Sequence, residues 1–494
     1  MARPGAAIFR ADLGSIENAR PALTVTGRPL DVYVIAIGGT GMAPFACLMQ
    51  ALGHRVRGSD GPLYPPMSTL LESAGIAPLV GYDASHLDPE PDLVVVGNAV
   101  RRDNVEAVEA ERRELPLLSM PEALYRFCLA DRRPLVVAGT HGKTTTTAMA
   151  AFALHELGGD PGYLIGGMPL DLPASWALGS GPRFVVEGDE YNAAYFDRGP
   201  KFLHYRPQTL IWTSGEYDHA DLYASPEALL AAYRRLLEEM PADGLVVACG
   251  DRPEVRELAG AAACRVVFYG LGEGNDVRPF APPVEEEGLY RARVVGPAGE
   301  AELAAGLGGL HNFENALAVW AAVAADGHDP REVAAALARF RGVARRLQEL
   351  GTAGGVTVVD DFAHHPTAVG ATLDAVRRRY PGRRLLAALE LRSNSAARSL
   401  FTEGYFAALR RADRAFLPPL FHASRLPPEE RLDLDALASR LSERGTPTTI
   451  AADYDALLAA ILAAAQAGDA VVAMSSGSFG GLPQKLLAAL RERE

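Results

Sequence analysis

One stretch limits what this chain can fold into more than any other: residues 136–147, reading VVAGTHGKTTTT. Apolar residues from Leu135 to Ala138 have strand character, a glycine turn follows, and a Lys-Thr pair opens a helical pattern from Thr145 to Leu157. That arrangement predicts a phosphate cradle. A glycine turn lets backbone N–H groups close on a polyphosphate, the helix N-terminus adds positive potential, the lysine reaches the terminal phosphates and the threonine hydroxyl can ligate Mg²⁺. The commoner spacing G-x-x-x-x-G-K-[ST] would need glycine at 137, where the chain has Val137; it carries the shorter Gly139-x-x-Gly142-Lys143-Thr144. The competing reading is a strand-to-helix turn with an incidental lysine. The strand before and the four threonines after favour phosphate binding.

Such a unit fills only part of 494 residues, and the length alone suggests about three domains. With 48% hydrophobic and 22% charged residues the composition is globular, and a net charge of −13 without a basic stripe argues against nucleic acid as a partner. Cys47, Cys128, Cys249 and Cys264 lie far apart with no C-x-x-C pair, which suggests neither a cysteine zinc site nor a disulfide framework and fits a reducing cytoplasm. No apolar run is long enough for a membrane span, and the start lacks a signal-peptide core. Residues 1–30 have no clear period and read as an extension.

The run Val32 to Ile37 is a buried-strand pattern ending in Gly38-Gly39-Thr40-Gly41-Met42 before a helical stretch, a Rossmann-like opening whose G-x-G-x-x-G fails at Pro44. A second strand, His54 to Arg57, leads to Gly58-Ser59-Asp60, an acid placed for a ribose or base contact or for an ordinary turn. A third, Leu93 to Val96, ends in Gly97-Asn98-Ala99. These place a first domain at 31–130.

In the second domain, 131–346, a strand from Phe184 ends in Glu187, Asp189 and Glu190, acids suited to holding Mg²⁺ near phosphates, although alone they also suit a solvated strand end. Thr209 to Thr213 runs into Glu216, Asp218, His219 and Asp221, and Gly309-Leu-His311-Asn312-Phe-Glu-Asn315 opens an alanine-rich helix. From 347 to 494, strand patterns at Val356–Val359, Leu385–Leu389, Ala415–Leu417, Thr448–Ile450 and Ala470–Met474 alternate with helical ones and imply another parallel sheet. Its first strand ends in Asp360-Asp361-Phe362-Ala363-His364-His365-Pro366, either a site cluster or a capped helix start with incidental histidines. The fold class is therefore α/β in three domains, a Rossmann-like first, a phosphate-loop ATPase-like second and a Rossmann-like third. Composition and spacing stop at an Mg-ATP-dependent transferase or ligase with an organic anion as acceptor.

Taken together, Gly139 to Thr146, Glu187-Gly-Asp-Glu190, Asp218-His219, His311-Asn312-x-x-Asn315, Arg345-Arg346 and Asp360-Asp361-x-x-His364-His365-Pro366 resemble the Mur ligases, ATP-dependent amide-forming enzymes of peptidoglycan metabolism. The resemblance runs from about residue 31 to the C-terminus, with the motifs in the same order. Within the family, Gly58-Ser-Asp60, Tyr64-Pro-Pro-Met-Ser-Thr69, Gly81-Tyr-Asp83, Gly97-Asn-Ala99, Leu391-Arg-Ser-Asn394 and the segment from Met474 to Lys485 are similar to the murein-recycling branch, which joins L-alanyl-γ-D-glutamyl-meso-diaminopimelate to UDP-N-acetylmuramic acid. The alanine-adding branch is the alternative.

The resemblance implies a reaction through an acyl phosphate, with Lys143 neutralising the migrating phosphoryl group and Thr144, Glu187 and His219 holding Mg²⁺. It implies ATP contacts from Gly139, Thr140, His141, Gly142, Lys143, Thr144, Thr145, His311, Asn312, Asn315, Arg346 and Asp361. The UDP-sugar would lie on Gly39, Thr40, Gly41, Met42, Asp60 and Asn98, and the incoming peptide on His364, Arg392 and Asn394, in a cytoplasmic monomer or weak homodimer. Several family members carry a carbamylated lysine about fifteen residues beyond the metal histidine. Arg234 stands there, and a guanidinium can neither be carbamylated nor ligate Mg²⁺.

Overall fold

The computed structural model describes residues 28–286, 288–393, 395–421 and 426–493. These form two compact units, one of residues 28–127 with Tyr191–His204, the other of Cys128–Glu190 with 205–493.

The first unit is built on a five-stranded parallel sheet in the spatial order Leu79–Val80, Arg55–Asp60, Asp31–Ile35, Leu93–Val96, Leu117–Ser119. Apart from the partly buried Asp31, its central strands are fully buried Val, Leu, Ile and Tyr residues, as expected where both faces of a parallel sheet are covered. The first strand stops two residues earlier than its pattern suggests, because Ala36 turns left-handed at φ 64° to start the glycine loop. The second continues through Gly58-Ser59-Asp60, so Asp60 ends the strand and does not lie beyond it. Gly58 is required there: a Cβ would lie 2.2 Å from the Val34 carbonyl oxygen. Tyr195 and Phe196, from the Tyr191–His204 segment, pack against the core formed by Tyr33, Val94 and Val96.

The larger unit holds two main sheets. The first has seven strands in the order Arg265–Tyr269, Leu245–Cys249, Thr209–Trp212, Arg133–Ala138, Arg183–Gly188, Gly162–Leu164, Trp176–Ala177, all parallel except the last. A four-stranded antiparallel sheet between Arg278 and Ala304, which the strand patterns do not announce, adjoins its core. Helices Lys143–Glu156 and Leu310–Ala325 pack together within that core.

The other sheet has six strands in the order Gln348–Ala353, Val356–Asp361, Ala470–Met474, Leu385–Leu389, Arg414–Leu417, Thr448–Ile450. Five are parallel, and Gln348–Ala353 is an antiparallel edge. Separate apolar clusters cover its two faces. Asp360 and Asp361 lie within the strand end, which sends Pro366 into the first turn of helix Pro366–Arg379.

Candidate active site

The phosphate loop leaves its strand at Ala138 and enters its helix at Lys143. Two glycines make the turn possible. Gly139 has φ 132° and a Cβ there would lie 2.1 Å from Thr213 Oγ1, while Gly142 has φ 78° and a Cβ would lie 2.7 Å from Asn315 Oδ1. Neighbouring residues fix the loop: the Thr140 hydroxyl donates to the Glu216 carbonyl at 2.6 Å, the Thr213 hydroxyl to the His141 carbonyl at 2.6 Å, and the His141 N–H to Ser214 Oγ at 3.1 Å. Gly142 caps the helix without a side-chain acceptor, which leaves the N-terminal N–H groups for an anion.

Lys143 is buried against Glu190, with Nζ to Oε2 at 2.8 Å and a further hydrogen bond to the Gly139 carbonyl at 2.6 Å. Burial alone would lower its pKa, but Glu190, Asp189 and Glu187 hold it above the ordinary value, so the ammonium stays charged. The Thr144 hydroxyl donates to Glu187 Oε1 at 2.9 Å, the Gly166 N–H to Glu187 Oε2 at 3.0 Å, and Arg346 to Thr144 Oγ1 at 3.1 Å. Burial and the nearby Asp189 push the Glu187 carboxyl above its ordinary value, against the pull of Lys143 and Arg346. A hydroxyl and an under-neutralised carboxylate 2.9 Å apart are an oxygen donor set that fits Mg²⁺.

The strand Thr209–Trp212 feeds a loop that binds residues following strands of the six-stranded sheet. Glu216 Oε1 accepts from the Thr367 hydroxyl at 2.7 Å, Asp218 lies 4.0 Å from His364 Nε2, and the Ala220 N–H donates to Ser395 Oγ at 3.0 Å. His219 sits in this loop, buried and left-handed at φ 56°. His364 donates to or accepts nothing from Asp218 at that distance, but its Nδ1 is 3.1 Å from the Phe362 carbonyl, consistent with an Nδ1–H tautomer. Burial lowers the His364 pKa, which leaves a neutral imidazole. His365 caps its helix by accepting the Thr367 N–H at 3.4 Å, so this segment is both a cap and part of a site-like cluster.

A cavity of about 530 Å³ opens beside the loop. His141, Gly142, Thr145, His311, Asn312, Asn315, Arg346 and Asp361 all line it. The Asp361 carboxylate is already engaged by the Leu347 N–H at 2.6 Å, the Ala363 N–H at 2.7 Å and the Thr372 hydroxyl at 3.1 Å, which ties it to the junction between the two sheets. Arg346 stacks on Phe362, its guanidinium 4.6 Å from the ring centre. In the loops that follow strands of the six-stranded sheet, Arg392 is held 3.9 Å over the Phe421 ring, and Gly477 admits it where any Cβ would lie 2.3 Å from its side chain. Asn394 lies outside the described residues.

In the smaller unit, Gly39, Thr40, Gly41 and Met42 form the turn into helix Met42–Ala51, which also opens without a side-chain cap. Asp60 braces this turn, accepting from the Gly38 N–H at 2.8 Å, the Gly61 N–H at 2.7 Å and the Tyr82 hydroxyl at 3.1 Å. Asn98 is exposed at the end of the adjacent strand.

Family models match most of the chain: the Mur ligase family catalytic domain over residues 31–132, the Mur ligase middle domain over 137–323, and the Mur ligase glutamate ligase domain over 345–477. The chain belongs to the Mur ligase family. Like other Mur ligases it is an ATP-dependent amide-bond-forming ligase, with the three-domain α/β fold of the family. It is 39% identical over 94% of its length, and 98% of the other protein, to the UDP-N-acetylmuramate–L-alanyl-γ-D-glutamyl-meso-2,6-diaminoheptandioate ligase of Escherichia coli K12. It is 35% identical over 93% of its length, and all of the other, to a UDP-N-acetylmuramate–L-alanine ligase of Rubrobacter xylanophilus. A murein peptide ligase from Psychrobacter arcticus superimposes with a TM-score of 0.70 at 32% identity, over 94% of this chain and 99% of that one.

Sequence reading missed several members of this Mur ligase site. Glu190, which its sequence context groups with metal-holding acids, is the buried partner of Lys143 and also accepts from the Tyr233 hydroxyl at 2.7 Å. Tyr233, stacked on Trp212, therefore faces the site, whereas its neighbour Arg234 is exposed on helix Pro226–Glu238. Cys249, Asp251, Arg252, Tyr269 and Glu314 also line the cavity. Only their positions after parallel strands and on the helix face beside Asn315 could have signalled them.

Proposed function

We propose that this Mur ligase joins the tripeptide L-alanyl-γ-D-glutamyl-meso-diaminopimelate to UDP-N-acetylmuramic acid in the recycling of murein. The observation that carries the reading is the 39% identity, across 94% of the chain, to the Escherichia coli enzyme named for that reaction. Arg392, set on Phe421 in loops beside the six-stranded sheet, supports it, because a planar guanidinium suits the extra carboxylates of a peptide that alanine lacks.

In this reading residues 31–130 take the UDP-sugar, with its phosphates at Gly39 to Met42 and further contacts at Asp60 and Asn98. Residues 131–346 take ATP and 347–494 the peptide. ATP phosphorylates the muramoyl carboxylate and leaves as ADP; the peptide α-amine attacks the acyl phosphate, and phosphate departs as the amide forms. Mg²⁺ held by Thr144 and Glu187, with His219 assigned by family resemblance, would neutralise charge on the transferred phosphoryl group. The Lys143 ammonium stabilises the same charge from within a buried pocket, where it is worth far more than in water. His311, Asn312, Asn315 and Arg346 flank the nucleotide. The neutral imidazole of His364 can accept the proton that the attacking amine releases. No helix among the described residues is long and apolar enough to cross a membrane, and a cytoplasmic monomer or weak homodimer fits these substrates.

The test is phosphate release with Mg-ATP and UDP-N-acetylmuramic acid, comparing the tripeptide with L-alanine. Turnover with the tripeptide alone is expected. Turnover with alanine alone would transfer the protein to the alanine-adding branch, which the Rubrobacter relative at 35% keeps as the second reading.

A further inference from the structure

At the phosphate loop His141 meets two side chains, Glu216 and His365, to which the ligation reaction assigns no role. His141 Nε2 is 2.8 Å from Glu216 Oε2, the rings of His141 and His365 have centroids 4.8 Å apart, and one ligand atom from each of the three residues lies within 4.8 Å of the others. His365 is only 6% exposed. Its Nδ1 accepts the capping N–H of Thr367 at a weak 3.4 Å, so the ring proton sits on Nε2, which is buried without a hydrogen-bond partner; binding a metal through Nε2 moves that proton to Nδ1 and gives up this cap. A buried, unpartnered imidazole nitrogen beside an imidazole and a carboxylate calls for a ligand.

The chemistry of the donors selects that ligand. Two imidazoles and one carboxylate suit Zn²⁺, whereas Mg²⁺ takes oxygen donors such as those of Thr144 and Glu187. The Thr367 hydroxyl binds Glu216 Oε1 at 2.7 Å, which orients the other oxygen, Oε2, toward His141, the kind of outer hydrogen bond that fixes a ligating carboxylate. His141 and Glu216 also line the cavity, so an ion has an entry path. Four-coordinate Zn²⁺ with bonds of about 2.1 Å needs ligand atoms roughly 3.4 Å apart, a spacing between the 2.8 Å of the His141–Glu216 pair and the 4.8 Å that bounds the group.

We propose that His141, Glu216 and His365 form a Zn²⁺ site separate from the Mg²⁺ site, with its fourth position open to the cavity. His141 and Glu216 belong to loops of the seven-stranded sheet, and His365 begins a helix of the six-stranded one. A bound ion clamps the phosphate loop to that helix and inhibits by slowing ADP release. The clamp rests on the nucleotide reading above; the metal site does not.

Equilibrium dialysis of the full chain against Zn²⁺ alone, without nucleotide, tests the site. One ion per chain is expected. His365→Asn keeps a capping acceptor but removes Nε2, and Glu216→Gln weakens the carboxylate ligand; each should lower zinc affinity at least about tenfold, while Glu187→Gln should leave it in place. No retained zinc, zinc unaffected by either of the first two variants, or zinc lost with Glu187→Gln would each overturn the site. Co²⁺ in the unaltered protein gives a readout that no variant can confound: intense visible bands of four-coordinate cobalt are expected, and the weak bands of a six-coordinate oxygen site would refute it. With zinc bound, ADP release should slow about tenfold; an unchanged release rate alongside intact zinc binding would remove the clamp and leave the site.

Discussion

At the scale of single residues, the pairing of Lys143 with Glu190 changes what a lysine variant will report. Lys143→Met should abolish measurable turnover, a loss of at least about 10³-fold, because the charge facing the transferred phosphoryl group is gone. It should also destabilise the fold by about 3–5 kcal/mol, since Glu190 is left buried and unneutralised. Adding Glu190→Gln should recover most of the stability and none of the turnover, which urea denaturation and phosphate release would separate. Glu187→Ala is expected to cut turnover by about 10²-fold or more while binding of UDP-N-acetylmuramic acid, measured by calorimetry, persists. Burial lowers His365 to about 4, with His141 adding to the shift. The unfolded chain then binds the proton more tightly than the folded one, so stability is full above about pH 6.5 and falls toward pH 4, by at most about 3 kcal/mol. His365→Asn should flatten that decline in urea midpoints, and an unchanged slope would assign it to other groups. Residue types with one chemical use, the lysine and threonine after the glycine turn, were legible in the sequence. The Glu190 and Tyr233 roles were not, because a hydrogen bond across 43 residues leaves no local pattern.

Secondary-structure elements were easier to read where burial is uniform. Leu93–Val96, Leu385–Leu389 and Ala470–Met474 coincide with their apolar runs because both faces are covered. Strand ends were misjudged wherever polar residues continue the ladder, as at Gly58-Ser59-Asp60 and Asp360-Asp361. The antiparallel strands between Arg278 and Ala304 escaped notice because half of their side chains face solvent. The phosphate loop itself yields a sharper expectation. In Gly139→Ala the new methyl meets not only the Thr213 hydroxyl but the Ser214 backbone nitrogen at 2.8 Å, so the loop must move as a unit. Nucleotide affinity should fall roughly 100-fold, about 2.7 kcal/mol, by fluorescence titration, and near-native affinity would mean that the loop relaxes without losing its N–H groups.

Across the whole molecule, contacts among the loop after Trp212, the phosphate loop and the third sheet concentrate any nucleotide response in the larger unit. Mg-ATP should slow hydrogen exchange at residues 139–147, 213–219, 311–315 and 345–372, and leave the Leu93–Val96 strand of the smaller unit unchanged. Protection spread evenly over both units would contradict that confinement.

The smaller unit is also discontinuous along the chain, since Tyr195 and Phe196 complete a core begun at Tyr33, and Ser119 Oγ donates to Asp197 at 3.0 Å. During synthesis residues 28–127 emerge with that core face bare. The missing segment follows only when roughly eighty more residues have been translated, several seconds later at about 5–20 residues per second. On the ribosome, the part of the enzyme made first is therefore not the part that can finish folding first, and a nascent chain stalled near residue 130 would be a client for chaperones rather than a folded domain.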